Sequence, residues 1–326
     1  MKRQGFFGAV LCALIAQTAP SLAQAQTYPV RPIKIVTPFP AGQGPDVLLR
    51  NLAEKLGPVL GQPVVVENKP GGSGFIAFQA ARTAAPDGYT LVHMDSFHIG
   101  TQPHLFDKLP YSATRDFDPI TPLVRNYFFV AVSANSKWQT MSDLIAAAKA
   151  KPKSVSYGSW GVASPAHLGG LMLEASTGIQ MTHVPYKESS QLYTGLAMGE
   201  TDWAIASAAT AGPMLQSGKV RFLAAAGPRR IGGYDKVPTA AESGAPKDWT
   251  VGGWNGLLAP KGTPKDVIQR LNTEIAKVMQ SPEIREKLTI FTYEPYTMSS
   301  SEMSKLMEQE QAYWGPLIQR SKIKLD

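Results

Sequence analysis

The sequence predicts an α/β fold of two domains, in which mostly parallel sheets are covered by helices on both faces. Its 326 residues are about twice the length of a typical single domain. Short apolar runs typical of strands alternate along the chain with longer segments whose apolar residues recur at helical spacing. The 29 glycines and 26 prolines supply the turns that many short elements require.

The N-terminal segment predicts export. Lys2 and Arg3 precede an apolar stretch at 6–16, and Ala23-Gln24-Ala25 has the small residues of a cleavage site, so residues 1–25 are predicted to be a secretory signal peptide. The apolar stretch is too short to cross about 30 Å of hydrocarbon. The one cysteine, Cys12, lies inside it, so we expect a soluble, exported chain without disulfides or zinc-thiolate sites.

In the first series of elements, strand and helix patterns alternate. The β-branched run 33–37 predicts a strand, and apolar residues at helical spacing from 48 to 56 predict the helix after it. Gly57-Pro58 is expected to end that helix. A strand at 64–66 leads through a glycine-rich turn to a helix at 75–85, and the next strand spans 90–94.

A second series begins with a strand at 128–132. Thr140 and Asp143 form a capping pair for a helix through Ala150, and Ser164-Pro165 supplies the cap and first position of another. The other predicted elements of this series are strands at 154–157, 182–184, 201–206 and 220–226 and a helix at 191–198. Near the C-terminus, one helix begins at Thr263-Pro264 with a periodic apolar face, and a last helix passes through 303–307.

Charge and motif spacing exclude several functions. The net charge of +7 comes with no basic run longer than a pair such as Arg229-Arg230, which argues against nucleic-acid binding and leaves an anionic small ligand open. Residues 72–77 match the G-x-G-x-x-A form of a dinucleotide fingerprint, but residues 68–71 separate them from the strand, so no cofactor is predicted.

Serine and histidine spacing gives no enzyme signature. Neither Ser73 nor Ser159 lies in a G-x-S-x-G motif, and His93, His98 and His104 lack the spacing of metal ligands, so no metal site is predicted. An exported hydrolase that uses His167 or His183 as a base remains the alternative. His167 is expected either to orient the helix cap at Ser164 or to line a pocket.

Two glycine-rich segments are the candidate ligand-binding loops. Residues 38–46 and 157–164 each follow a predicted strand and end at a predicted helix start. In open α/β sheets, ligands bind beyond the carboxyl ends of strands, and a helix N-terminus carries a partial positive charge suited to a carboxylate or phosphate. The alternative is that the glycines only turn the chain. Trp160 lies in such a loop and off any periodic apolar face, which indicates an aromatic wall for a ligand.

Six ordered motifs carry a family resemblance. They are GQPVVVENKPGGSG at 61–74, APDGYTL at 85–91, YGSWGVASPAHL at 157–168, HVPYK at 183–187, SGKVRFLAAAG at 217–227 and GLLAPKGTP at 256–264. With these motifs, the chain from Tyr28 nearly to its end resembles the periplasmic substrate-binding receptors of tripartite tricarboxylate transporters, the Bug family.

The resemblance implies a non-catalytic, monomeric receptor in the periplasm with a two-lobed periplasmic-binding-protein fold. Lobe 1 would comprise residues 26–127 and 252–326, lobe 2 would comprise 128–251, and crossing strands would form the hinge. A small carboxylate would be captured between the lobes, and the closed form would dock onto a membrane permease. A sensor receptor for a membrane signalling protein uses the same lobes and stays open as an alternative.

The resemblance also implies which residues hold the carboxylate. The first loop, residues 38–46, and the second loop, residues 159–167, would bind it largely through backbone N–H groups, hydroxyls and water. Ligand contacts are expected from Phe39, Pro40, Ala41, Gly42, Gln43, Asp46, Ser96, Phe97, Ser159, Trp160, Gly161, Val162, Ala163, Ser164, His167, Ala206 and Ser207.

Three positions depart from the usual family pattern. Gln43 stands where the family usually has a second glycine, Pro45 stands where it has a hydroxyl residue, and Ala163 stands where glycine is common. These changes alter the hydrogen-bonding groups of the pocket and, with Trp160, favour an aromatic mono- or dicarboxylate such as terephthalate. Lys187 would either contact a second carboxylate or be solvated.

Overall fold

The structure, a computed structural model, describes residues 28–289 and 291–325. The predicted signal peptide lies outside the described residues. The strands are β1 Ile33–Thr37, β2 Val64–Asn68, β3 Thr90–Asp95, β4 Phe117–Tyr127, β5 Phe129–Ser133, β6 Ser156–Ser159, β7 Thr182–Pro185, β8 Trp203–Ala206, β9 Val220–Ala225, β10 Gly252–Pro260 and β11 Tyr293–Pro295. The helices are α1 Gly44–Leu60, α2 Phe75–Arg82, α3 Gln102–Leu105, α4 Met141–Ala150, α5 Pro165–Thr177, α6 Ser189–Met198, α7 Ala208–Gln216, α8 Lys265–Met279, α9 Pro282–Thr289 and α10 Ser300–Ser321.

The described strands form two sheets. The first sheet has the order β11-β4-β10-β3-β1-β2, and the second has the order β7-β6-β8-β5-β9. The chain passes from the first sheet to the second at Phe128, between β4 and β5, and has returned by the start of β10 at Gly252. The division into lobes 26–127 with 252–326 and 128–251 stays a prediction.

Both sheets are mixed, which corrects the expectation of mostly parallel strands. In the first sheet β1 is parallel to β2 and β3, but β10 is antiparallel to both β3 and β4, and β11 is antiparallel to β4. In the second sheet β6 is parallel to β7 and β8, and β5 is antiparallel to β8 and β9. Antiparallel strands need no crossover helix between them. Strands β4 and β10, where the chain leaves and re-enters the first sheet, pair in this antiparallel way.

Helices cover both faces of each sheet, as predicted. In the first sheet α1, α8 and α9 bury one face and α2 and α10 bury the other. In the second sheet α4 and α5 bury one face and α6 and α7 the other. The apolar face predicted for α8 is buried at Val267, Ile268, Leu271, Ile275 and Val278.

Local signals set several element boundaries. β1 spans the predicted residues 33–37. The predicted capping box begins α4, where Asp143 N–H donates to Thr140 Oγ1 at 3.1 Å and Thr140 N–H donates to Asp143 Oδ2 at 2.9 Å. Such caps supply acceptors or donors to first-turn groups that a helix leaves unpaired.

Helix α10 contacts both halves of the molecule. Met303 and Met307 belong to the core of the first sheet, whereas Trp314 and Leu317 pack against the core of the second. The helix therefore bridges the two sheets on the side where the chain crosses between them. Among the helices of residues 28–289 and 291–325, none is long and apolar enough to cross a membrane.

Candidate functional site

The two candidate loops lie at equivalent places in the two sheets. The first loop connects β1 to α1, and the second connects β6 to α5. Each therefore leaves the carboxyl end of a strand that has parallel neighbours and enters a helix N-terminus. This is the edge where ligands bind in open α/β sheets. Ala41, Gly42 and Gln43 are exposed at the tip of the first loop.

A buried carboxylate organises the first loop. Asp46 is only 1% exposed. It accepts hydrogen bonds from Gly42 N–H at 2.8 Å, Arg50 Nε at 3.0 Å and Asn68 Nδ2 at 2.7 Å. Burial by itself raises the pKa of Asp46, but the donors from Arg50, Asn68 and Gly42 outweigh it and lower that pKa below its usual value. Asp46 thus stabilises the loop through these three hydrogen bonds, and its contact with a ligand stays a prediction.

The N-terminus of α1 is not capped by a side chain. Gln43 occupies the N-cap position in an extended conformation, with φ −73° and ψ 158°, and its side chain accepts no hydrogen bond from the helix. Pro45 has no N–H, so Gly44 and Asp46 supply the first-turn N–H groups that remain. These N–H groups and the partial positive charge of the helix end suit an anion.

The second loop caps its own helix. Ser164 Oγ accepts from His167 N–H at 3.3 Å and donates to the Gly161 carbonyl at 2.7 Å. Ala163 N–H donates to His167 Nδ1 at 3.0 Å. The expectation that His167 orients the cap is therefore met by these contacts. Ala163 has φ +61°, in the left-handed region that favours glycine.

Ser159 and His183 form a hydrogen-bonded pair behind the second loop. Ser159 Oγ lies 2.7 Å from His183 Nε2 and donates to the Gly161 carbonyl at 2.9 Å. Because the hydroxyl has one proton and donates it to the Gly161 carbonyl, we assign the His183 proton to Nε2, as the donor to Ser159. Ser159 is also fully buried, so the pair holds the loop.

Two neutral imidazoles stack under this loop. The rings of His167 and His183 lie 3.7 Å apart, with planes 6° from parallel. The pKa of each is lowered to about 4, by burial for both rings and, for His167, also by the neighbouring His183. Both rings are therefore uncharged at neutral pH.

Polar residues at the ends of β1 and β3 support the first loop. Thr37 Oγ1 lies 3.0 Å from His93 Nδ1 and accepts from Phe39 N–H at 3.4 Å. The Phe39 ring contacts His93 and His98, with centroids 5.4 and 5.8 Å away. Burial lowers the pKa of His93 to about 4. His98 is held in turn by Asp95, whose Oδ1 accepts its N–H at 3.0 Å.

Several predicted site residues are brought together between the loops. Phe97 contacts His98, with ring centroids 5.8 Å apart, and packs against the buried cluster that contains Ala163 and Leu168. Rings following β1 and β3 thus reach the second loop through a continuous set of contacts. Ser96 Oγ accepts from Trp254 N–H at 3.4 Å, so it faces β10.

Other predicted residues have a less direct relation to the loops. Ala206 is buried at the end of β8, and Ser207 caps α7 by accepting from Thr210 N–H at 3.1 Å. Val162 is 47% exposed, and Trp160 is half-buried with its ring 5.6 Å from that of Phe128. Lys187 is exposed. Within the described residues, no group of three or more His, Cys, Asp or Glu is placed to hold a metal ion.

The residues that sequence reasoning missed are Arg50, Asn68, Thr37 and Asp95. Asn68, Thr37 and Asp95 are polar residues at or next to the carboxyl ends of β2, β1 and β3. Their position at the strand ends could have identified them in the sequence, because the carboxyl ends of parallel strands converge at the edge of the sheet where ligands bind. Arg50 lies one helical turn after Asp46, which is the spacing of an ion pair on one helix face.

The chain is similar in sequence to several known proteins. The sequence model of the tripartite tricarboxylate transporter family receptor, TctC, matches residues 48–323. The UPF0065 protein in the gbd 5' region of Cupriavidus necator is 36% identical over 305 residues, which cover 91% of this chain and 89% of that protein. BugT of Bordetella pertussis is 31% identical over 302 residues, 92% of each chain.

Two solved structures with ligands are also similar. Rpa4515 of R. palustris, with adipate, has a TM-score of 0.77 and 30% identity over 91% of this chain and 99% of its own. MatC of Rhodopseudomonas palustris, with bound malate, has a TM-score of 0.72 and 27% identity over 89% of this chain and 100% of its own. Both ligands are aliphatic dicarboxylates.

Proposed function

We propose that this chain, which belongs to the tripartite tricarboxylate transporter receptor family, captures a small carboxylate between its first and second loops and delivers it to the membrane components of such a transporter. Family membership confirms the resemblance seen in the motifs. Export to the periplasm, docking on a permease and closure of lobes 26–127 with 252–326 over 128–251 are parts of this proposal. The proposal also includes that the receptor acts as a monomer.

One observation carries the proposal. The N-terminus of α1 opens at the tip of an exposed loop and has no side-chain cap. Its free N–H groups are complementary to a carboxylate, and the receptors of adipate and malate share this fold. A closed state would be favoured only if the bound anion contacts the second loop as well.

Aromatic side chains in the two loops support an aromatic class of ligand. Phe39 in the first loop and Trp160 in the second are both half-buried, so each keeps part of its ring accessible. These rings support an aromatic mono- or dicarboxylate such as terephthalate. Aliphatic dicarboxylates, the ligands of the two similar receptors, are the competing class.

Turnover of the ligand is not part of the proposal. Ser159 Oγ–H donates to the Gly161 carbonyl, and in the tautomer that we assign, His183 Nε2 is the donor to Ser159. A hydrolase would need the opposite arrangement, with the imidazole accepting the hydroxyl proton.

The test adds a negative charge to the first loop. Gly42 has open space around its Cα but a φ of +83°, where a side chain is strained, so Gly42→Asp is expected to fold with some loss of stability while repelling an anion. Gly218→Asp is the matched control, since Gly218 has φ +65°, the same open space and a place on the turn after α7. The measurement is thermal unfolding of residues 26–326 with adipate, malate, benzoate and terephthalate.

At a hundred times its dissociation constant, a ligand should stabilise the wild type and Gly218→Asp by about 2.7 kcal/mol. Gly42→Asp should lose most of this stabilisation. If dicarboxylates stabilise Gly42→Asp as strongly as its control, the first loop is not the anion site. If only adipate and malate stabilise the wild type, the aromatic ligand class is wrong.

A further inference from the structure

A cavity lies where the chain crosses between the sheets and reaches the start of α5 at the end of the second loop. It has a volume of about 370 Å³ and is formed by the end of β4, the start of β10, and helices α5 and α10. We call it the crossover cavity. Ser96 and Phe97, two of the predicted ligand-binding residues, line it together with Pro165 of the second loop, whereas residues 38–46 do not. Its volume falls within the range of small-molecule sites.

The walls of the crossover cavity are largely aromatic. The aromatic lining residues are Phe97, Tyr127, Trp254, Tyr296, Tyr313 and Trp314. Glu310 fixes two of these rings, because its Oε1 accepts from Trp254 Nε1 at 3.1 Å and its Oε2 accepts from Trp314 Nε1 at 2.9 Å. Rings held in this way form a preorganised slot for a flat apolar group.

Arg125 supplies a positive charge at this slot. It lies directly opposite Trp254 on β10 and Glu294 on β11, so the three side chains share one face of the first sheet. Its Nε donates to Glu294 at 3.1 Å, and Arg229 pairs with the same carboxylate. Two guanidinium groups therefore share the Glu294 carboxylate, and Glu310 is the carboxylate that lines the cavity itself.

The terminal nitrogens of Arg125 are available to a ligand. Among the described residues, no carboxylate holds them, and the guanidinium carbon lies 5.1 Å from the centroid of the lining ring of Tyr296. A planar guanidinium with unpaired N–H groups binds a carboxylate in bidentate fashion. Glu310, the acidic group of the lining, has both oxygens committed to indole N–H groups.

We propose that the crossover cavity is a second ligand site, which binds a small aromatic monocarboxylate with its ring in the aromatic slot and its carboxylate on Arg125. The site does not depend on the proposed function of the two loops. An occupant would touch both segments in which the chain crosses between the sheets, residues 125–127 and 250–254.

The test uses benzoate as the probe and Gly42→Asp as the background, so that binding at the first loop is suppressed. Isothermal titration should detect benzoate binding in this background. Benzyl alcohol and benzyltrimethylammonium, which present the same ring without a carboxylate, should bind at least about tenfold more weakly. Tryptophan fluorescence should respond to benzoate, because Trp254 and Trp314 line the cavity.

Arg125→Gln in the same background should weaken benzoate binding by at least about tenfold. Arg229→Gln is the matched control, because Arg229 shares Glu294 but does not line the cavity, and it should bind benzoate like its parent. If Arg125→Gln does not fold, Gln309→Trp, which fills the cavity at an exposed lining position, should abolish binding instead.

Three outcomes would overturn the proposal. Benzoate binding that is unaffected by both Arg125→Gln and Gln309→Trp would place the ligand elsewhere. Binding of the cationic probe at least as tight as that of benzoate would give the cavity the opposite charge preference. Benzoate binding seen in the wild type but absent from Gly42→Asp would assign benzoate to the first loop, which supports the proposed function and removes the second site.

Discussion

The first and second loops occupy equivalent places in their sheets but are stabilised by opposite chemistry. A buried carboxylate with three donors holds the first loop, and the helix that follows has no side-chain cap. Two neutral imidazoles and two serine hydroxyls hold the second loop, and one of those serines caps its helix. Asp46 holds the first loop without accepting from the first-turn N–H groups of α1, which stay open for a ligand. In the second loop, the Ser164 cap accepts from a first-turn N–H group of α5.

The difference gives the two loops separate tasks in binding an anion. The open end of α1 is the stronger electrostatic partner for a carboxylate, since no side chain competes for its N–H groups. The second loop presents Trp160 and Val162 over a polar but uncharged support. We therefore expect charge recognition from the first loop and shape recognition from the second.

Acid should produce the largest effect on stability, and mainly through the second loop. The pKa values of His167 and His183 in the folded protein are about 4, below the usual 6.5. The unfolded chain therefore takes up protons that the folded chain does not as pH falls from about 6.5 to about 4. Stability should therefore decline across this window and level off below it. The pKa of His93 in the first sheet is also lowered to about 4, so this residue too should make stability decline as the pH falls.

Urea unfolding of wild type and His183→Gln at pH 7 and pH 4.5 measures this decline. His183→Gln removes one titrating ring and keeps a donor for Ser159, so its stability should fall less between the two pH values. His93→Gln gives the corresponding measurement for the first sheet. A decline in His183→Gln equal to that of the wild type would contradict the assignment of a depressed pKa to the second loop.

Removal of the Asp46 charge, which holds the first loop, should have the second-largest effect on stability. Asp46→Asn is expected to reduce the free energy of unfolding by about 2 to 4 kcal/mol, because Arg50, Asn68 and Gly42 lose a charged acceptor in a buried position. It should also weaken carboxylate binding, since the loop tip loses its support. Glu283→Gln is the control, because Glu283 pairs with Lys55 at the exposed surface, so its loss should be much smaller than that of Asp46→Asn. Equal losses in the two variants would mean that Asp46 does not organise the loop.

Exchanging the caps should give the smallest effects, with opposite signs. Ser164→Ala removes the cap of α5 and should cost about 1 kcal/mol. Gln43→Ser adds a capping hydroxyl at a position that already has the extended conformation of an N-cap, and should stabilise the protein by up to about 1 kcal/mol. The added hydroxyl competes with the ligand, so Gln43→Ser should bind carboxylates more weakly. Chemical denaturation and titration with adipate or terephthalate measure both effects, and tighter binding by Gln43→Ser would contradict the open-helix account.

The sequence predicted those features that depend on residues close together in the chain. β1, the capping box of α4, the Ser164 cap and the buried face of α8 all follow from patterns within a few residues. β4 was not predicted, because Pro119 and Pro122 interrupt its strand pattern, and its pairing with β10 shifts register beside both prolines. The sequence did not predict the hydrogen bonds of Asn68 with Asp46 or of His183 with Ser159, because the two residues of each pair are 22 and 24 positions apart in the chain.

By itself, the sequence determined the family, the alternation of strands and helices, and the positions of both candidate loops, since these depend on local pattern and on ordered motifs. Only the tertiary structure decided that both sheets are mixed, that a buried carboxylate holds one loop while stacked imidazoles hold the other, and that Arg125 faces an aromatic cavity beside the crossing strands. Those features depend on which strand ends and helices become neighbours. Sheet register sets those neighbours across distances in the chain that no local periodicity encodes.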